Sequence, residues 1–155
     1  MSLDLLEIKI FFLELVKSAQ VQLKSQLPEN IETYIVLTLS DVEKGLKVPA
    51  EPLFDILSTA HESNAPESFH SYKRLGDVSL FTLGLFPEHV SRRNLSKSYF
   101  RAMGQMGYSR AGNVAERSFG TEFGCLYHDM ADFFDESEKV IRRVKGLAPF
   151  KCERL

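Results

Sequence analysis

The feature that most constrains this fold is the segment from residue 69 to residue 85, which is apolar on nearly every side of a helix. Pro66 lies just before this segment and Pro87 follows it, so the helix has a natural start and stop. Its longest apolar run, residues 78–86, is far too short to span a bilayer. Because a helix that is apolar all round is usually enclosed by other helices, the sequence predicts an all-α domain with this helix at its centre.

Helical periodicity, interrupted by Pro and Gly, predicts a single-domain bundle of about six helices over residues 1–155. We expect helices over about residues 3–25, 28–45, 50–61 and 64–86, a fifth helix that begins at an N-cap Ser96, a short turn over residues 89–93, and a last helix over about residues 119–144. A strand is the rival for residues 34–39, where β-branched and aromatic side chains crowd, but the helical period extends beyond that run. Gly104, Gly107 and Ala111 share a face of the fifth helix, which predicts a close backbone-to-backbone crossing.

Composition and charge exclude several classes of protein. The chain has 19 Lys and Arg against 21 Asp and Glu, a net charge of −2, so no basic surplus favours nucleic-acid binding. The first residues lack a basic secretory start, and no segment predicts membrane insertion. Cys125 and Cys152 are too few for a disulfide framework or a metal-binding pair. We interpret them as reduced thiols of a cytoplasmic protein, with Cys125 packed in a helix.

Asp77 is the most unusual residue, because it is a carboxylate in the middle of the most apolar helix. A buried carboxylate without a partner is costly, so we expect a cation or hydrogen-bond donor beside it. It has two possible roles, a general base or ligand-binding acid and a structural anchor. Arg92, Arg93 or Tyr99 are candidate partners. We favour the anchor, and we expect the adjacent Gly76 to let a neighbouring helix approach.

Two polar pairs have the spacing of metal ligands on a helix. Glu67 and His70 stand three residues apart, and His128 and Asp132 stand four apart. A carboxylate-bridged di-iron bundle needs two Glu-x-x-His pairs and further glutamates, and the second pair is missing here. We therefore predict no metal or other cofactor and regard these four residues as weak metal candidates.

The segment from residue 88 to residue 94 is the one compact basic feature of the sequence. Arg92 and Arg93 could bind a phosphate or an acidic partner. We favour the alternative that they complete a helical turn and pair with Glu88 or Asp77. Asp77, Arg92, Arg93 and Tyr99 are thus the candidate ligand-binding residues, and no catalytic residue is predicted.

Several segments together resemble a family of uncharacterised bacterial all-helical proteins. They are residues 34–37, the Leu-Gly-Asp-x-x-Leu-Phe pattern at 75–81, the Phe-Pro-Glu pattern within 84–88, the arginine pair at 92–93, and residues 98–104 with 107–108. The resemblance covers about residues 12–143. It implies a helical fold and a bacterial cytoplasmic origin. The family has no assigned reaction, so the resemblance transfers no catalytic residue.

Three functional hypotheses follow from the sequence. The first is a non-catalytic protein-interaction module, with a protein partner or a second copy in a homodimer, because the apolar patterning is complete and there is no convincing set of reactive groups. The second is a small-molecule-binding or metal-dependent enzyme with a site between helices near Asp77, His70 and His128. The third, nucleic-acid binding through the fifth helix and the arginines at 92 and 93, is the weakest because of the net charge.

Overall fold

The described part of the chain is built from helices alone. The computed structural model describes residues 4–43, 53–92 and 95–148, with the backbone alone at residues 42, 43 and 92. These residues form α1 (Leu5–Leu23), α2 (Glu29–Glu43), α3 (Leu53–Glu62), α4 (Ala65–Leu85), α5 (Pro87–Arg92), α6 (Lys97–Phe119), α7 (Thr121–Asp132) and α8 (Phe134–Leu147). The all-α prediction is confirmed, and residues 34–39 lie in α2 rather than in a strand.

The predicted number of about six helices is wrong, because the described residues form eight. The single helix expected over residues 119–144 is two helices, because Phe133, with φ −99° and ψ 21°, leaves the helical conformation and separates α7 from α8. Gly120, with φ 114°, ends α6 after Phe119. The turn expected over residues 89–93 is helical as far as residue 92. Proline fits the first turn of a helix, so Pro87 both ends α4 and opens α5.

Helix α4 lies at the centre of the fold, as predicted. It packs against α3, α5, α6 and α8, and most of its second half is buried. One apolar core contains buried side chains from all eight described helices, and Leu75, Leu80 and Leu83 of α4 lie wholly inside it. In the described segments, no helix combines the length and apolar character that crossing a membrane requires.

The crossing of α4 and α6 is as close as the glycine face predicts. A Cβ atom on Gly107 would lie 2.8 Å from the backbone N of Gly76 and 2.8 Å from the backbone O of Tyr72. A Cβ atom on Gly104 would lie 2.5 Å from the ring of Phe134. Gly107 therefore lets the backbones of α4 and α6 come into contact, whereas Gly104 leaves room for the Phe134 ring of α8.

Some side chains expected in the core face solvent instead. Phe123 is 56% exposed in the first turn of α7 and Cys125 is also exposed, whereas Gly124 and Met130 of the same helix are buried. In α1, Phe11 is exposed whereas the buried side chains include Phe12, Val16 and Ala19. Cys152, and the Gly45 expected to cap α2, lie outside the described residues.

Candidate functional site

Asp77 of α4 is the centre of a polar cluster that joins helices. Its Oδ1 accepts hydrogen bonds from the phenol of Tyr34 at 2.6 Å and from the phenol of Tyr108 at 2.7 Å. Its Oδ2 accepts one from Nζ of Lys73 at 2.8 Å, and 15% of the Asp77 side chain is exposed. One carboxylate thus connects α2, α4 and α6.

The local sequence explains how these groups meet. Lys73 stands one helical turn before Asp77, so the two side chains lie on the same face of α4. Gly76 removes the side chain that would otherwise occupy the place of the Tyr108 ring, since a Cβ atom there would lie 2.5 Å from that ring. The expectation that Gly76 admits a neighbouring helix is confirmed, and the group it admits is the donor to Asp77.

Burial and the charge of Asp77 keep the phenols of Tyr34 and Tyr108 protonated at neutral pH, and the charge of Asp77 keeps the ammonium group of Lys73 protonated. Burial raises the pKa of Tyr34 and of Tyr108, and the Asp77 charge raises each further. Burial alone would lower the pKa of Lys73, but the attraction and hydrogen bond of Asp77 outweigh it, so that pKa is raised. The phenols therefore remain protonated donors and Lys73 remains a cation, which makes none of the three a nucleophile or base near neutral pH.

Tyr127 of α7 borders the same cluster. Its ring meets the Tyr34 ring edge to face with centroids 6.1 Å apart. Burial raises the pKa of Tyr127, the Lys73 charge lowers it and the Asp77 charge raises it, with a net upward shift. Tyr127 therefore also remains protonated and contributes packing to the cluster.

The partners of Asp77 differ from those considered from sequence. Tyr99 makes no hydrogen bond to Asp77; it is exposed, its backbone N donates to the N-cap Ser96 at 3.0 Å, and its ring lies against Phe100. Arg93 lies outside the described residues, and only the backbone of Arg92 is described, so the favoured pairing of these arginines with Glu88 or Asp77 and the alternative of a phosphate site both stay untested. The Lys73–Asp77 spacing was visible in the sequence, but the two phenols come from distant segments.

The weak metal candidates are not brought together. Glu67, His70 and Asp132 are exposed. His128 lies with Nε2 3.0 Å from Oε1 of Glu116 on α6, rather than beside Asp132. Among the residues that the structure describes, no group of three or more His, Cys, Asp or Glu side chains could hold a metal ion.

Sequence reasoning missed a second buried carboxylate, Glu138 of α8. Its side chain is 3% exposed and accepts hydrogen bonds from Nε and Nη2 of Arg101 at 3.0 and 3.2 Å, and from Arg142. The hydrogen bond to Glu138 is the main cause of a raised pKa at Arg101. A two-bond contact between guanidinium and carboxylate fixes orientation as well as charge, so this pair holds α6 against α8.

Two further polar clusters also join helices. His61 of α3 lies with Nδ1 2.8 Å from the Tyr72 hydroxyl and Nε2 2.9 Å from Nη1 of Arg110. Since a guanidinium only donates, Nε2 is the acceptor and the ring proton is assigned to Nδ1. The buried Gln20 of α1 donates to Glu32 of α2 at 2.7 Å. In each cluster, the polar side chain of one helix is hydrogen-bonded to a polar side chain of another helix.

Comparison with protein-family models, with curated proteins and with solved structures finds no match for this chain. The resemblance to uncharacterised bacterial helical proteins therefore stays a prediction. The roles of individual residues are therefore inferred from their contacts. The hydrogen bonds of Asp77 and Glu138 link neighbouring helices, as those of structural anchors do.

Proposed function

We propose that this chain is a non-catalytic protein-interaction module. The outward face of α1 carries the proposal, because it exposes large apolar side chains on a helix whose opposite face is buried. The exposed fractions are 65% for Leu6, 47% for Ile10, 44% for Phe11 and 76% for Val21. Leu6, Ile10 and Phe11 lie within two turns of one another, and Val21 lies about three turns further along α1. A group of apolar side chains exposed on one surface is characteristic of an interaction site.

The polar clusters support the same proposal. A carboxylate that acts as a general base needs a lone pair directed at a substrate proton. The Asp77 carboxylate already accepts hydrogen bonds from two phenols and one ammonium group of the protein. Glu138 likewise accepts from two arginines and is almost fully buried. These carboxylates stabilise the packing of the helices, so the feature that supports binding to a partner is the exposed apolar face of α1.

The alternative, a small-molecule or metal-dependent enzyme near Asp77, His70 and His128, has less support. No hydrogen bond or ion pair within residues 4–43, 53–92 and 95–148 links Asp77 to either histidine. The ring of His70 contacts the adjacent Phe69, and His128 pairs with Glu116. This alternative remains a hypothesis without an assembled group of reactive side chains.

The test is site-specific photo-crosslinking in the source cells. A photoreactive amino acid replaces Val21 on the α1 face, and a matched control replaces the exposed Asn113 on α6. The proposal predicts discrete protein adducts from position 21 and not from position 113. Absence of adducts at position 21, or equal adducts at both positions, contradicts it.

A further inference from the structure

We infer that the occupant of the α1 face is a second copy of this chain, with the two α1 helices packed antiparallel. The inference rests on the proposed function and names its partner. It follows from the order of apolar and charged residues along one exposed stripe of α1.

The stripe consists of Ile10, Glu14, Lys17 and Val21, all exposed. Their spacings of four, three and four residues keep them on one side of the helix, with the apolar residues at the two ends of the stripe and the charged residues between them. Residues with these spacings lie along one side of a helix, and here that side is turned away from the face that buries Phe12, Val16 and Ala19. The stripe can therefore meet another helix along its length.

A two-fold axis midway between residues 15 and 16 makes the stripe complementary to itself. It places Ile10 opposite Val21 of the second copy, and Glu14 opposite Lys17 of the second copy, with each pair occurring twice. A two-fold interface must match one surface with itself, and this stripe matches in both apolar character and charge.

The parallel arrangement lacks this match. It sets Glu14 against Glu14 and Lys17 against Lys17, and like charges across a helix pair are unfavourable. In the antiparallel arrangement, the helix dipoles also oppose one another. Lys17 already lies 3.2 Å from Oε1 of Glu32 in its own chain while 60% of its side chain is exposed, so it remains open to Glu14 of the second copy.

Sedimentation velocity over a range of concentrations tests the inference with charge reversals. Glu14→Lys and Lys17→Glu each replace two attractive pairs by two repulsive ones, so each should weaken the dimer by about tenfold or more. The double variant Glu14→Lys/Lys17→Glu restores both pairs across the interface, and it should bind about tenfold more tightly than Lys17→Glu, which loses the same Lys17–Glu32 pair within its own chain. Reversing the exposed Glu136 and Lys139 on α8 is the matched control and should change nothing.

Val21→Lys supplies an independent variant at a highly exposed position and should also weaken the dimer, while circular dichroism checks that every variant is folded. A wild-type chain that is monomeric at all concentrations overturns the inference, as does a dimer that the single reversals leave unchanged. Photo-crosslinking separates the two proposals. Adducts at position 21 with other proteins alone refute self-association and leave the proposed function standing, whereas no adducts refute both.

Discussion

Replacing Asp77 by Asn should destabilise the whole fold. The substitution keeps the size of the side chain and removes its charge at the point where α2, α4 and α6 meet. An amide oxygen can still accept from the phenols of Tyr34 and Tyr108, but the amide NH₂ then faces Nζ of Lys73, where two donors oppose each other.

The expected loss of unfolding free energy is about 2–3 kcal/mol. A hydrogen bond to a charged acceptor contributes about 1 kcal/mol more than one to a neutral acceptor, and Asp77 receives two from phenols. The ion pair with Lys73 adds roughly 0.5 kcal/mol, a small contribution because 34% of the Lys73 side chain is exposed. For a chain of this size the melting temperature should fall by roughly 5–10 °C.

Urea unfolding followed by circular dichroism measures this loss. The matched control is Asp132→Asn, the same chemical change at an exposed position, which should stay within about 0.5 kcal/mol of the wild type. Tyr108→Phe should cost less in the Asp77→Asn background than in the wild type, because its hydrogen bond is already weakened there. An Asp77→Asn loss no larger than that of the control would show that the carboxylate is not an anchor.

Three further predictions address other parts of the fold. Gly107→Ala should destabilise the fold by about 2 kcal/mol, because the added Cβ atom would lie 2.8 Å from the α4 backbone. Gly146→Ala should stabilise it by about 0.5–1 kcal/mol, because a Cβ atom there would meet no atom within 4 Å. Urea unfolding that shows the same sign for both substitutions would be inconsistent with the close crossing of α4 and α6. Glu138→Gln should cost about 2 kcal/mol, less than for a wholly buried pair because its arginines are partly exposed, and an unchanged urea midpoint would argue against an anchoring role. The pKa values of Tyr34 and Tyr108 are raised in the folded state, so the unfolded state loses those protons first. The contribution of these two tyrosines to stability should therefore be constant through neutral pH and fall above about pH 10, by about 1.4 kcal/mol per pH unit for each tyrosine. Urea unfolding between pH 9 and pH 11 checks this slope, and a double Tyr→Phe variant at these positions with the wild-type slope would contradict it.

The parts of the fold that the sequence predicts are those set by local pattern. The all-round apolar character of α4 places it at the centre, and the glycine face of α6 predicts its close crossing with α4. The break at Phe133 was not predicted, because no proline or glycine stands there and the helical pattern of apolar residues continues through it.

The contacts of Asp77 likewise include one that local sequence spacing predicts and two that depend on how the helices pack. Lys73 and Asp77 stand four residues apart, so their contact follows from helical geometry. Tyr34 and Tyr108 lie 43 and 31 residues from Asp77, and only the packing of α2 and α6 on α4 brings their hydroxyl groups to it. Glu138 resembles a surface acid in the sequence, because charged residues flank it, and its burial depends on the side of α8 that faces α6.

We propose that the outward face of α1 binds a second copy, while the polar clusters hold the helices of one copy together. Backbone amide NMR spectra of the uniformly labelled chain, recorded from low to high concentration, distinguish these two roles. We expect concentration-dependent shifts concentrated at Ile10, Glu14, Lys17 and Val21, with the amides around Asp77 unchanged. Spectra that do not change with concentration, or shifts confined to another surface, would rule out self-association through α1.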